Sequence, residues 1–155
     1  MLRESQRRME NNGLNIQYCV NLLMVSKMEV SLKFYVDGLG FKILNTWTPR
    51  GKIEWCWLQR EGGPLMLQEA RVTTERPYLM GDKPGAGLSL WYQCKDSLAL
   101  YHEFKEKGIA VDEPFVGNNL WDVHLKDPDG YNLHFESPTD VPEETTYSEW
   151  LASQQ

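Results

Sequence analysis

The stretch Lys126-Asp127-Pro128-Asp129-Gly130-Tyr131-Asn132-Leu133-His134-Phe135-Glu136-Ser137-Pro138 decides how the rest of the chain is read. Proline fixes one turn torsion and glycine supplies a positive φ. Asp-Pro-Asp-Gly between two alternating runs therefore predicts a β-hairpin. Successive strand side chains point to opposite faces, so Phe135 takes one face while His134 and Glu136 share the other. Two hydrogen-bonding side chains on one sheet face are the first sign of a site.

Working outward, residues 88–94 read as a strand and residues 96–107 as a helix with Leu98, Tyr101 and Phe104 on one side, closed by Gly108. Strands follow at 109–115, 121–126 and 131–137. The first half has the same plan. A strand over 17–25 precedes a helix over 26–39, with Met28, Leu32, Tyr35, Val36 and Leu39 at helical spacing and Gly40 after it. Strands at 41–48, 53–59 and 65–69 follow, the last after the turn Glu61-Gly62-Gly63-Pro64. The halves recur at a nearly constant offset: Leu23 with Leu90 (90 − 23 = 67), Leu58 with Leu125, Gly63 with Gly130 and Glu69 with Glu136, while Gly40 and Gly108 differ by 68. Two βαβββ units that cannot each bury their own sheet are expected to pair. The expected organisation is a polar tail (1–15), module 1 (16–70), a linker or loop rich in Gly, Pro and charge (71–86), module 2 (87–138), and an acidic C-terminal tail with a short helix (139–155).

The bulk properties narrow the function. The 155 residues are 41% hydrophobic and include six Trp and seven Tyr, enough for a packed interior. A net charge of −6 argues against nucleic acid or an anionic membrane as partner. No apolar run approaches the roughly 20 residues of a membrane helix, and the polar start does not read as a secretory signal. Cys19, Cys56 and Cys94 are odd in number and widely spaced, as expected of buried free thiols in a reducing cytoplasm.

The tandem modules, the run Ser31-Leu32-Lys33-Phe34-Tyr35-x-x-x-Leu39-Gly40-Phe41 and the Asp127-Pro128-Asp129-Gly130 hairpin together resemble the vicinal oxygen chelate superfamily. That superfamily includes glyoxalase I, extradiol dioxygenases, fosfomycin-resistance enzymes, methylmalonyl-CoA epimerase and the bleomycin-resistance proteins. The resemblance covers residues 17–137. It implies an α+β fold in which two βαβββ modules curl a mixed sheet around a cavity, with helices outside. It also implies a homodimer.

Alternation then sorts the strands by face. Trp91, with Gly87, Ser89 and Gln93, is expected to face the cavity. The 67-residue offset adds Val20, Leu22, Met24, Trp55 and Trp57, whose counterparts are Asp122 and His124. It also adds Leu65, Leu67 and Glu69 as counterparts of Asn132, His134 and Glu136. The candidate ligand-binding residues are therefore Trp55, Trp57, Glu69, Trp91, His124, His134 and Glu136.

Relatives that hold a divalent ion place His, Gln or Glu on the first and last strands of each module. Those positions fall here on Val20, Leu67, Gly87 and His134, and only the last carries a donor. A Zn, Fe, Mn or Ni site needs about three protein donors. A metal-dependent reading, a glyoxalase-like lyase or isomerase or a dioxygenase, requires a displaced set: Glu69, His124, His134 and Glu136. The metal-free reading is closer in pattern to the bleomycin-resistance proteins, whose last hairpin is similar to Asp127, Pro128, Gly130, His134 and Phe135. It implies a cytoplasmic binder without a cofactor, connected with antibiotic resistance, that sequesters a flat or cationic small molecule. Indole faces stack on flat rings and attract cations, and carboxylates add counter-charge. A metal-free enzyme with His134 as acid or base, oriented by Glu136, is the remaining expectation.

Overall fold

The computed structural model describes residues 15, 16, 18–70 and 83–155. In chain order these form β1 (Asn21–Val25), α1 (Met28–Leu32) running on as a π-helical segment (Lys33–Gly38), β2 (Lys42–Trp47), β3 (Trp55–Arg60), β4 (Gly63–Glu69), β5 (Ser89–Gln93), α2 (Ser97–Glu106), β6 (Phe115–Gly117), β7 (Leu120–Lys126), β8 (Asn132–Pro138) and α3 (Tyr147–Ser153). The fold is α+β, with one βαβββ module in each of two units, 1–82 and 83–155. Most of the expected N-terminal tail and of the expected linker lies outside the described residues.

Each module builds a four-stranded mixed sheet, ordered β1-β4-β3-β2 in the first and β5-β8-β7-β6 in the second. The outer pairs β1/β4 and β5/β8 are parallel and the others antiparallel. One face of each sheet carries the core. In the first unit Leu23, Val25, Cys56, Leu58, Leu65 and Leu67 are buried together with Met28, Tyr35 and Leu39 of the helix. In the second, Leu90, Val123, Leu125, Leu133 and Phe135 are buried with Tyr101 and Phe104 of α2. Phe104 meets Phe135 edge-on at 5.2 Å. Asp96 caps α2 by accepting the Ala99 N–H at 3.0 Å.

Two expected elements differ. The first helix is α only over its first five residues; the Leu39 N–H then donates to Phe34 O, a five-residue span. The strand expected over 109–115 shrinks to β6, which begins at Phe115. Its alternation is broken by Asp112, Glu113 and Pro114, and proline cannot donate to a ladder. All three cysteines are free, but only Cys56 is buried, whereas Cys19 is exposed.

The repeat also slips. Leu23 pairs with Leu67 while Leu90 pairs with Leu133, so first strands are 67 apart and last strands 66 (133 − 67 = 66). Cys56 pairs with Leu67 and Leu125 with Leu133, so the middle strands are 69 apart (125 − 56 = 69). The cause is turn length. In the first unit the ladder runs to Arg60 and Gly63, whereas the turn after Lys126 ends it at Lys126 and Asn132. A one-residue slip moves a strand's whole set to the opposite face. Leu65, Leu67 and Glu69 therefore lie on the helix-covered side of their sheet, not beside Trp55 and Trp57. The place of His134 is taken in the first unit by Gln68, that of Trp91 by Met24 and that of His124 by Trp55.

The C-terminal residues belong to the second unit. Val116 and Thr145 exchange backbone hydrogen bonds with neighbours along the outer edge of β6: Val116 N donates to Thr145 O, and Glu144 N to Val116 O. The Glu143 carboxylate accepts the N–H groups of Asn118 and Asn119, both in left-handed conformation (φ 55° and 61°). A Thr146–Glu149 capping box starts α3. Trp150 of α3 lies 5.8 Å from Trp121.

Candidate functional site

The opening hairpin builds the site by fixing register. The buried Asp127 carboxylate accepts the N–H groups of Asp129 and Tyr131, each at 2.9 Å, and Gly130 sits at φ 93°. This turn sets Lys126 against Asn132, and hence His124 against His134. On the other side of β8, Trp91 of β5 is the register partner of His134. Three rings from three neighbouring strands consequently form a row on the face away from α2. Trp91 and His134 are stacked, with centroids 3.8 Å apart and planes 4° from parallel. His124 follows at 4.6 Å and 30°.

Hydrogen bonds hold the row. His134 donates its Nδ1–H to Asp122, whose carboxylate oxygens are 2.9 and 3.1 Å away. Asp122 is only 7% exposed, and among the described residues both contacts of its carboxylate go to this imidazole. A carboxylate only accepts, so it fixes the tautomer: in the neutral ring Nε2 carries the lone pair. His124 donates Nδ1–H to Asp112 at 2.6 Å, and its Nε2 is 2.9 Å from the Asn132 amide. The Trp91 indole N–H donates to Ser89 Oγ at 2.7 Å, and Gln93 donates to Glu136 at 2.7 Å. Trp91 remains 50% exposed on β5, the edge strand of its sheet, and among the described residues the ring stacked on it is that of His134.

The other expected residues are placed elsewhere. Trp55 and Trp57 share the face of the first sheet away from its helix, as their parity requires, with Leu22, Met24 and Met66. Trp57 is 6% exposed and its indole N–H donates to Gln59. Glu69 accepts the Met28 N–H at 2.7 Å and pairs with Lys52 at 2.8 Å. That helix has no side-chain cap of its own, so Glu69 serves as a cap from a distant strand. Glu136 does not orient His134; Asp122 does. His102 of α2 lies 2.9 Å from the Tyr147 hydroxyl. The sequence put Asp122 and Asn132 on the same face as the histidines without assigning them a role, and did not point to Asp112. The signal was present in Asp122-x-His124, whose shared parity needs only the hairpin register to reach His134.

The sequence was compared with known proteins. Residues 15–135 match the model of the Glyoxalase/Bleomycin resistance protein/Dioxygenase superfamily. The chain belongs to that superfamily. No curated protein matches the chain significantly. Among solved structures, TnmS3, an antibiotic binding protein from Streptomyces sp. CB03234, superimposes with a TM-score of 0.63 at 24% identity, covering 81% of this chain and 99% of that one. TioX from Micromonospora sp. ML1 gives 0.61 at 18%, covering 78% and 98%. A glyoxalase/bleomycin resistance protein/dioxygenase from Nocardioides gives 0.62 at 18%, covering 89% and 92%. At these identities the likeness establishes the shared fold.

Membership in this superfamily raises the question of a metal, which the donor set does not fit. Leu67 is fully buried under the helix, and Gly87 has no side chain. In the displaced set, His134 offers a single nitrogen, Nε2, whereas both nitrogens of His124 are taken by Asp112 and Asn132, Glu136 is held by Gln93, and Glu69 is held by Lys52 and the Met28 N–H. Among the described residues no three His, Cys, Asp or Glu side chains converge as a metal site. No helix among them is long and apolar enough to cross a membrane.

Proposed function

We propose that this superfamily member is a metal-independent small-molecule binding protein of the bleomycin-resistance type, which stacks a flat, cationic ligand on the uncovered face of Trp91. The observation that carries this reading is the ring row Trp91–His134–His124, which ends at a sheet edge with one indole face open. A flat ligand continues the row as a fourth ring, and offset aromatic stacking of this kind is worth about 1 kcal/mol beyond the area buried. Asp112 and Glu136 flank the row and favour a positive ligand. Trp55 provides a second aromatic surface on the first sheet. Glu69, occupied as a helix cap, has no part in binding. The antibiotic-binding relative TnmS3 is consistent with a drug-sequestering role, as is a cytoplasmic homodimer.

Isothermal titration of chelator-treated protein with bleomycin and a panel of planar cations tests the reading. Saturable heat without added metal is expected. An absence of heat with every member of the panel overturns it, as does binding that begins only when Zn, Fe, Mn or Ni is supplied.

A further inference from the structure

His134 holds a group that stacking alone does not use. Its Nδ1 is committed to Asp122, its two faces lie against Trp91 and His124, and its Nε2 has no partner among the described residues. The His134 side chain stays 16% exposed, and that nitrogen is not among the buried, unsatisfied atoms of the described residues. The sheet therefore presents an oriented acceptor at the outward edge of the ring row. Asp122 makes this arrangement costly. A carboxylate with so little exposure gives up much of its hydration, which only good pairing offsets, and an apolar residue would satisfy the sheet equally well. What Asp122 supplies is a fixed tautomer.

Resting on the reading that a flat ligand stacks on Trp91, we infer that His134 Nε2 is a specificity-determining acceptor for an N–H donor carried on a short arm of that ligand. The geometry sets the arm's reach. The ligand ring lies roughly 3.5 Å beyond Trp91 at normal contact distance, and His134 lies 3.8 Å on the other side of the indole. A primary ammonium at the end of a three-carbon chain attached to the ring through an amino nitrogen bends over the indole edge to Nε2. The ligand class is thus a planar heteroaromatic bearing a short aminoalkyl arm. Asp122 is a positioning residue, because it acts only through the imidazole.

The test uses two probes of equal charge, N-(acridin-9-yl)propane-1,3-diamine and its terminal trimethylammonium counterpart, which keeps the cation and removes the donor hydrogens. Chelator-treated wild type is expected to bind the primary amine about tenfold more tightly, the size of one charge-assisted hydrogen bond. Asp122→Asn replaces a group that only accepts with an amide that can also donate to Nδ1, so Nε2 is no longer held as the acceptor. It is expected to abolish the preference while retaining affinity for the trimethylammonium probe. His134→Phe, which keeps a ring against Trp91, is expected to do the same; Asp122→Asn is isosteric and decides the matter if the Phe variant does not fold. Equal affinity of wild type for both probes overturns the acceptor role and leaves stacking intact. A preference that survives in either folded variant also overturns it, since the carboxylates alone would then explain it. Failure of wild type to bind either probe overturns the stacking reading together with this one.

Discussion

The two open sheet faces share one topology and differ in chemistry. At equivalent ladder positions the first sheet carries Met24, Gln68 and Trp55, and the second carries Trp91, His134 and His124. The first face is apolar and aromatic, with Leu22, Met66 and Trp57 around it. In the second, every ring nitrogen of the row but His134 Nε2 has a hydrogen-bonding group within 3.1 Å among the described residues. The same hydrogen-bonded scaffold thus supports packing in one module and an oriented polar row in the other. The difference lies in side chains alone, since the two ladders pair in the same order and sense.

The comparison can be broken most forcefully at its tryptophans. Trp57→Ala is expected to lower stability by about 3 kcal/mol, because a buried indole leaves a cavity, with loss of Tm in thermal denaturation. Trp91→Ala, at an exposed edge, is expected to shift stability by less than about 1 kcal/mol yet to weaken binding of planar cations about tenfold, read by calorimetry. Equal stability losses in the two variants would remove the distinction. Glu69→Ala is expected to cost about 2 kcal/mol through loss of a charged helix cap, measured by urea denaturation, with ligand affinity unchanged. An affinity loss there would restore Glu69 to the site.

The smallest effect concerns alkaline pH and sets the two cores side by side. Burial pushes the Cys56 thiol of the first unit up to about 11 and the Tyr92 hydroxyl of the second to about 12. Both groups keep protons in the folded state that the unfolded chain releases from its ordinary values of 9.0 and 10.0. Stability is therefore full below pH 9 and falls as pH rises towards 12. Urea midpoints across that range are expected to decline, and at pH 8 the exposed Cys19 is expected to react with a thiol reagent while Cys56 reacts only on unfolding. Rapid labelling of native Cys56 would show its core to be open.

Much of this was legible in the sequence. The Asp127–Gly130 turn and the glycines after each helix gave the repeated βαβββ plan, because turn chemistry and periodicity are local properties. Parity put Trp55 and Trp57 on one face of the first sheet and Trp91, His124 and His134 on one face of the second, as the ladders show. Register was not legible. A two-residue turn in one module and a longer one in the other changed the offset from 67 to 66 on the last strand, and that single slip moved Glu69 from a ligand face to a helix cap. Asp122 escaped attention for a related reason. Its partner is diagonal across the hairpin, and only the ladder shows that it, not Glu136, reaches the imidazole.

The central claim is that the open face of Trp91 is the ligand platform. Indole N–H resonances of the six tryptophans, followed by nitrogen–proton NMR while chelator-treated protein is titrated with 9-aminoacridine, test it most directly. The account predicts a saturable shift of the Trp91 resonance, with those of Trp121 and Trp150 unmoved. A Trp91 resonance that stays in place at saturation, or moves only after a divalent metal is added, would contradict it.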